Sequence, residues 1–569
     1  MLTKFKENDQ SRLVWLLVIL WVVVNLVQSA SVGAHEDEAY YWMWSRFLDW
    51  GYFDHPPMVA VMIDAGRYLF SGTLGMRFFT ALLSGVSLWL MWDLVKEYKI
   101  SAKAFFLLAL SIPLIQIYGF VTTPDVPLFF FGVLYFHALK RYYANDNIKN
   151  SVLLALVIAL MFYSKYHAVL FVFFSLLSNL KLLKKPSFWA TAVLAVVFLL
   201  PHIIWQFSHD FPSIQYHLFD RSKRPYRLDY TTMYVLNQWI VLGPLTAFFV
   251  FKGISKMTFK SYFDKALLFN LVGIIIFFFL SSFKGWVEPH WTLIASIPLV
   301  ILGARGLSNL SEKLYQWFER LAITTIVLLG LARIIIAVPG PWSTIPALKM
   351  FYPRTQWAAT IKEAAQGRPV LFMNGFQAPS KYGFYSDGAP VACLTQVEYR
   401  KHQYDLWPNL DSLQGRSVLL VGWKGQLKNM KHFDTDFGTL DLGVIDDFQS
   451  LGKIHTQILN PKKSYKPNEV VNFEVLLSNN FNRAVQFHQD TNGDEPALAA
   501  TIWKDGEVYN KNFEKTPLQK LNWQVTEQTE QQVTVKMPSE VGKYKLMIST
   551  VQAPFNRRIN GRSIDFEIK

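Results

Sequence analysis

Eleven apolar runs follow one another through residues 1–338, and each has to be buried in protein or in lipid. The first, LVWLLVILWVVVNLVQSA (13–30), has almost no polar residue over the roughly 20 positions that a helix needs to cross a bilayer. Lys4, Lys6 and Arg12 ahead of it and small residues behind it also fit a signal peptide. The runs that follow make it the first of a series instead. They lie at roughly 76–95, 103–121, 126–139, 151–163, 168–180, 187–205, 233–251, 265–282, 291–304 and 320–338, several of them short. Of 569 residues, 51% are hydrophobic and 16% aromatic, which soluble domains rarely reach. The expectation is a polytopic α-helical membrane protein of about eleven spans.

Lysine and arginine orient the series. Lys96, Lys99 and Lys103 follow the second run, and Lys140, Arg141 and Lys149 the fourth. Lys181, Lys184 and Lys185 follow the sixth, and Lys252, Lys256, Lys260 and Lys265 the eighth. All fall on the side of the N-terminus, which the positive-inside rule makes cytoplasmic. The stretch after the first run, and everything past residue 338, are then external; in a bacterial inner membrane that is the periplasmic side. Much of the net charge of +14 is this topology signal, so it does not point to nucleic acid.

The external turns are polar for their size. TTPDVP carries Asp125, YSKYHA carries Lys165 and His167, and SFKGWVEPHW carries Lys284, Glu288 and His290. Singly these are ordinary helix-end turns, but together they ring one side of the membrane with titratable groups, which usually mark a site. One loop also defies the charge rule. Residues 206–232 are external by the count yet hold Arg221, Lys223, Arg224 and Arg227. Solvated lipid-headgroup contact would explain them, and so would an anion such as a phosphate held at the outer face.

The first external loop, 31–75, opens with HEDEAYYWMW and continues to YFDHPPM. Tyr40, Tyr41, Trp44 and Leu48 recur at helical spacing, so an amphipathic helix along the outer interface is expected. Pro56 and Pro57 suit the start of a second. Glu36, Asp37 and Glu38 would complement a helix dipole, though capping needs one carboxylate and not three, with Asp54-His55 besides.

These motifs, DEAYY, YFDHPP, TTPD, SKYH and the Lys-bearing turn near 284, taken in order, resemble the membrane glycosyltransferases of the GT-C fold. The similar branch is that of the protein O-mannosyltransferases and the aminoarabinose transferase of lipid A, over roughly residues 1–340. The resemblance implies a sugar donor on a polyprenyl phosphate and an acceptor hydroxyl on a lipid, glycan or protein. It makes Asp37 the catalytic base; Glu38, beside it, is a second candidate catalytic carboxylate from its position alone. His55 occupies the position that contacts the donor phosphate, where the aminoarabinose branch has lysine; this leaves the sugar, and any need for Mg²⁺ or Mn²⁺, open. Lys165, Arg221, Arg224 and Lys284 are further candidates to neutralise the leaving phosphate, with Asp54, Asp125, His167, Glu288 and His290 in support.

Past VPGPWSTIP the apolar runs stop. Residues 339–450 carry two short apolar strands, PVLFM and SVLLVGW, and read as an external α/β domain with a mostly parallel sheet. Residues 451–569 alternate with period two, as in Val471, Phe473, Val475 and Leu477, and read as an immunoglobulin-like sandwich. Two other functions compete. A transporter or flippase would place charges near the midplane in paired, broken helices, whereas here they gather at one side. A non-catalytic envelope assembly protein would use the C-terminal sandwich.

Overall fold

In lipid, each backbone N–H and C=O has to be satisfied within its own segment, so apolar runs become helices. The computed structural model describes residues 7–98, 100–220, 226–424, 431–435, 437–489, 494–552 and 554–569. It forms two compact units, Met1–Pro353 and Arg354–Lys569.

The first unit is helical. Its elements begin with α1 (Glu7–Ser31), α2 (Glu36–Ser45), α3 (Met58–Arg67), α4 (Gly72–Val95), α5 (Ala102–Leu110) and α6 (Pro113–Ile117). Next come α7 (Asp125–Ala144), α8 (Ile148–Ser164), α9 (Ala168–Ser178), α10 (Pro186–Ser208) and the single turn α11 (Pro212–Ile214). The series closes with α12 (Leu228–Val241), α13 (Ala247–Ser255), α14 (Tyr262–Ser281), α15 (Ser296–Leu307) and α16 (Glu312–Ala337). All eleven runs are helical, and among the described residues six segments are long and apolar enough to cross a membrane. These are Gln10–Ser31, Gly72–Tyr98, Pro186–Ser208, Tyr262–Ser281, Pro289–Leu307 and Glu312–Ala337. The others fall short for local reasons. Pro113 divides run 103–121 into α5 and α6, because it brings no N–H to the ladder. Gly243, at φ 122°, divides run 233–251 into α12 and α13.

Neighbouring helices pack as α1 on α4, α7 on α8, α8 on α10, α9 on α14 and α13 on α15. Phe105, Phe136, Phe171 and Ile297 are fully buried in the common core. Where α13 meets α15 the backbones nearly touch: a Cβ on Gly253 would stand 2.5 Å from the Gly306 carbonyl oxygen. By contrast α10 and α16 expose Val193, Ile204, Leu328 and Ile334, the surface expected of helices facing lipid.

The unit ends later than residue 338. Trp342 Nε1 donates to the Ile335 and Val338 carbonyls at 2.9 and 3.0 Å, and Tyr352 Oη to Ile335 O at 2.8 Å. Gly33 N donates to Phe351 O at 2.7 Å. The hinge expected at VPGPWSTIP is therefore folded back onto the end of α16.

The second unit holds both remaining architectures. One sheet has the order Val391–Leu394, Val370–Met373, Val418–Trp423, Gly438–Ile445, Lys431–Thr435. The first three strands are parallel, and the last two add on antiparallel, so the sheet is mixed where a mostly parallel one was expected. The sandwich pairs a three-stranded sheet (Gln528–Lys536, Val470–Asn479, Ile454–Ile458) with a six-stranded one centred on Ala497–Lys504 and Gly542–Val551. Phe473, Val475, Leu477, Val533, Leu546 and Ile548 fill it, as the alternation requires. The two expected domains share one unit because the segment before the last strand returns to the first sheet. Phe555 is buried in the core of the mixed sheet, and Val397 N donates to Arg557 O at 3.0 Å.

Candidate active site

The first turn of α2 explains why three carboxylates stand together. His35 caps the helix: its ring accepts from Asp37 N at 3.2 Å, while its own N–H donates to Glu38 at 2.9 Å. Glu38 has no exposed surface. Arg77, from α4, donates to its two oxygens at 2.7 and 2.5 Å, and Thr122 N donates at 2.8 Å. The same guanidinium reaches the carbonyls of Ser29, Val32 and Gly33. Burial pushes the Glu38 carboxyl up, but the Arg77 charge and the hydrogen bonds outweigh this and hold it below its ordinary value. Glu38 was expected to be catalytic; a carboxylate so enclosed does not reach substrate, and it is instead the joint between α2, α4 and the turn before α7. Asp37 differs. Its side chain is 46% exposed, with His35 Nδ1 3.8 Å away.

The expected amphipathic face on α2 is also corrected. Tyr40, Tyr41, Trp42, Met43 and Trp44 are all buried, so the helix is enclosed beyond its first turn. Trp44 is the reason: its ring meets Tyr40 at 4.8 Å, Tyr41 at 4.9 Å and Tyr52 at 4.4 Å.

Turns distant in sequence converge on this helix. Lys165, at the end of α8, donates to both oxygens of Asp125 at 2.8 Å, and both residues are buried. The pairing follows from α7 and α8 being antiparallel neighbours. His290 Nε2 lies 3.8 Å from Asp125. Tyr41 feels the charges of Asp37, Asp54 and Asp125, which with its burial raise its hydroxyl well above the ordinary value. The Tyr118 ring pairs with that of His290, centroids 5.8 Å apart. The structure thus brings together Asp125, Lys165 and His290. Glu288 also accepts from Trp286 Nε1 at 3.1 Å. His167 packs edge-on against Phe278 and Trp291, 5.1 and 5.2 Å away. Lys284 is exposed and forms no ion pair among the described residues. Arg221, Lys223 and Arg224 lie outside the described residues; Arg227 pairs with Asp229 at 2.9 Å.

The DHPP element is held from α10 and the turn beyond it. Trp205 Nε1 donates to Asp49 at 2.8 Å, and His202 Nδ1 to Trp50 O at 2.7 Å. Ser213 donates to Tyr52 O at 3.1 Å, and His217 Nε2 to Asp54 O at 2.8 Å. A carbonyl only accepts, so His202 carries its proton on Nδ1, and its Nε2 accepts from Tyr166 Oη at 3.1 Å. A π-helical turn, Gln215–Asp220, delivers His217, whose ring lies 5.9 Å from that of His55. His55 itself is half-buried, 6.1 Å from the Tyr41 ring. Gly51 is required here, because a Cβ would overlap the Trp205 ring.

Sequence reasoning missed Arg77, Tyr118, His202, Trp205 and His217. Arg77 had a signal, a charge inside an apolar run, where burial is costly without a partner. The others had none beyond their place near external turns. Among the described residues, no group of three or more His, Cys, Asp or Glu could hold a metal ion.

Comparison with known proteins agrees with this architecture. Residues 54–205 match the family described as dolichyl-phosphate-mannose-protein mannosyltransferase. Lipid A galacturonosyltransferase RgtD of Rhizobium johnstonii is 28% identical over 306 residues, covering 50% of this chain. The chain spans 62% of the length of that relative. ArnT from Cupriavidus metallidurans superimposes with a TM-score of 0.56 in its apo state, at 13% identity over 75% of this chain and 97% of that one. Its complex with undecaprenyl phosphate gives 0.54, at 14% identity over 77% and 98%. By fold, the chain is an integral multipass membrane protein of GT-C fold, similar to ArnT, and its residues 54–205 carry the local match to the protein-mannosyltransferase family.

Proposed function

We propose that this protein transfers a sugar from a polyprenyl-phosphate-linked donor to a hydroxyl acceptor, with inversion, at the periplasmic face of a bacterial inner membrane. The observation that carries the reading is Asp37: a half-exposed carboxylate in the capped first turn of α2, directly beside the buried Glu38–Arg77 pair that anchors the helix. ArnT binds undecaprenyl phosphate, which supports a polyprenyl-phosphate donor, and RgtD is named as a lipid A galacturonosyltransferase, which supports a lipid acceptor.

In this reading Asp37 takes the proton of the acceptor hydroxyl as its oxygen attacks the anomeric carbon. The C–O bond to phosphate breaks on the opposite face, leaving a phosphate monoester whose growing charge needs cations. His55, within the DHPP turn, is the first candidate for that task, and Arg221, Arg224 and Lys284 are the further candidates. Lys165 acts through Asp125, with which it is paired, and positions the α7 turn. The buried packing of Tyr40, Tyr41 and Trp44 holds α2, and with it Asp37, in place.

The test is transfer itself, by purified protein supplied with radiolabelled polyprenyl-phosphate sugars and an envelope lipid extract. Asp37→Asn keeps the shape and loses the basicity, so turnover is expected to fall about 10²-fold or more while donor binding persists. Full turnover by that variant sinks the mechanism. Failure of the native protein to transfer any labelled sugar sinks the reading.

A further inference from the structure

Tyr166 lies between Lys165 and His167 in the turn that joins α8 to α9, and no step of the reaction above uses it. Its hydroxyl belongs to a chain of hydrogen bonds in which every proton can be placed. At one end His202 Nδ1 donates to the Trp50 carbonyl at 2.7 Å, so Nε2 of the ring accepts, and Tyr166 Oη donates to it at 3.1 Å. At the other end Ser213 Oγ donates to the Tyr52 carbonyl at 3.1 Å. Both hydroxyl protons are then in use, so both oxygens accept. One group donates to the two of them: Gln206 Nε2, 2.9 Å from Tyr166 Oη and 3.0 Å from Ser213 Oγ. His202, Gln206 and Ser213 are buried. Each bond thus runs the same way, from the Gln206 amide through two hydroxyls to two loop carbonyls, and bonds chained in one sense polarise one another.

Those two carbonyls belong to the loop that carries His55. Tyr52 N donates to the His55 carbonyl at 3.0 Å, and Tyr52 Oη lies 3.2 and 3.1 Å from the carbonyls of Trp44 and Phe47. Residue 52 therefore ties the loop both to His55 and to the end of α2, the helix of Asp37. Within the chain, His202 and Gln206 come from α10 and Ser213 from α11, so Tyr166 alone brings in another part of the bundle. It does so from the residue next to Lys165, whose amine is fixed on Asp125. Its ring also lies 5.9 Å from that of His217, which is itself 5.9 Å from that of His55. Tyr163, on α8, offers a contrast. Its hydroxyl reaches α10 too, but donates to the Phe198 carbonyl at 2.9 Å and not to the loop or its holders.

We infer that Tyr166 is a positioning residue for the donor site, its hydroxyl holding the loop from Trp50 to His55 in place through His202 and Gln206. The inference rests on the transfer reading above. Native protein, Tyr166→Phe and Tyr163→Phe are compared in transfer from radiolabelled undecaprenyl-phosphate sugars, in thermal melting and in hydrogen exchange of the amides of residues 49–55. Tyr166→Phe is expected to raise the donor KM about three- to tenfold, the loss of one neutral hydrogen bond, with kcat and the acceptor KM little changed. Its loop amides exchange faster than those of native protein, while its melting temperature stays with that of Tyr163→Phe. Tyr163→Phe, which loses a comparable hydroxyl, keeps the native donor KM and the native loop exchange. An unchanged donor KM in Tyr166→Phe, unchanged exchange of its loop, or an equal rise of donor KM in Tyr163→Phe overturns the inference. Native protein that transfers none of the labelled sugars overturns the transfer reading instead, and this inference with it.

Discussion

Glu38 and Arg77 are the residues whose roles are most sharply separated from their neighbour Asp37. Both are buried, and each supplies what the other needs: two acceptor oxygens for a planar, forked donor. Removing one partner of such a pair costs about 3–5 kcal/mol, because the other charge stays buried. Glu38→Gln should therefore lower the melting temperature markedly, where Asp37→Asn should leave it nearly unchanged. A pH dependence follows. The folded carboxyl is held below its ordinary value of 4.5, so its stabilisation is complete above that pH and is lost as pH falls through the lowered value. Melting curves of native protein should fall off in that acid window, and those of Glu38→Gln should lack this component. Parallel curves would mean that the pair contributes nothing to stability.

At the scale of elements, the first loop is held by α10 and the π-helical turn, which hydrogen-bond residues 49, 50, 52 and 54 in succession. The clasp depends on Gly51 letting the Trp205 indole lie flat on the chain. Gly51→Ala should displace Trp205, loosen DHPP and cut turnover by about tenfold, while a remote Gly→Ala change such as Gly330→Ala, with open space around it, leaves turnover alone. Equal turnover in both would remove the clasp from the argument. The basic segment that follows the turn makes a separate claim. If Arg221 and Arg224 meet the donor phosphate, changing both to Gln should raise the donor KM far more than the acceptor KM. Each charge-assisted contact contributes about 1.5–3 kcal/mol.

For the whole molecule the Lys/Arg placement makes a prediction of its own. A reporter active only outside the cytoplasm should work when fused after residue 569 and be silent when fused after residue 145, behind Lys140 and Arg141. The opposite pair of results would invert the bundle and move the candidate site to the cytoplasmic side. Three separate parts of the fold bear on this, since Asp125, Lys165 and His290 meet at one end of the unit whatever the number of crossings.

Much of this was legible before any coordinates. Hydropathy marks α1 and α16, proline and glycine mark the breaks at Pro113 and Gly243, and alternation marks Phe473, Val475 and Leu477 as core. Titratable residues at run ends pointed to Asp37, Asp125, Lys165 and His290. All of these signals are local, written within a turn or two of the residue concerned, because periodicity, capping and backbone freedom act over that range. Contacts across long separations were not legible. Glu38 lies 39 residues from Arg77, Asp54 163 from His217, and Glu398 158 from Asn556. Nothing in a carboxylate's own neighbourhood says whether a guanidinium will close over it, so two adjacent acids, Asp37 and Glu38, looked alike. Packing separated them: α4 brought Arg77 under Glu38, and the helix turn left Asp37 facing out.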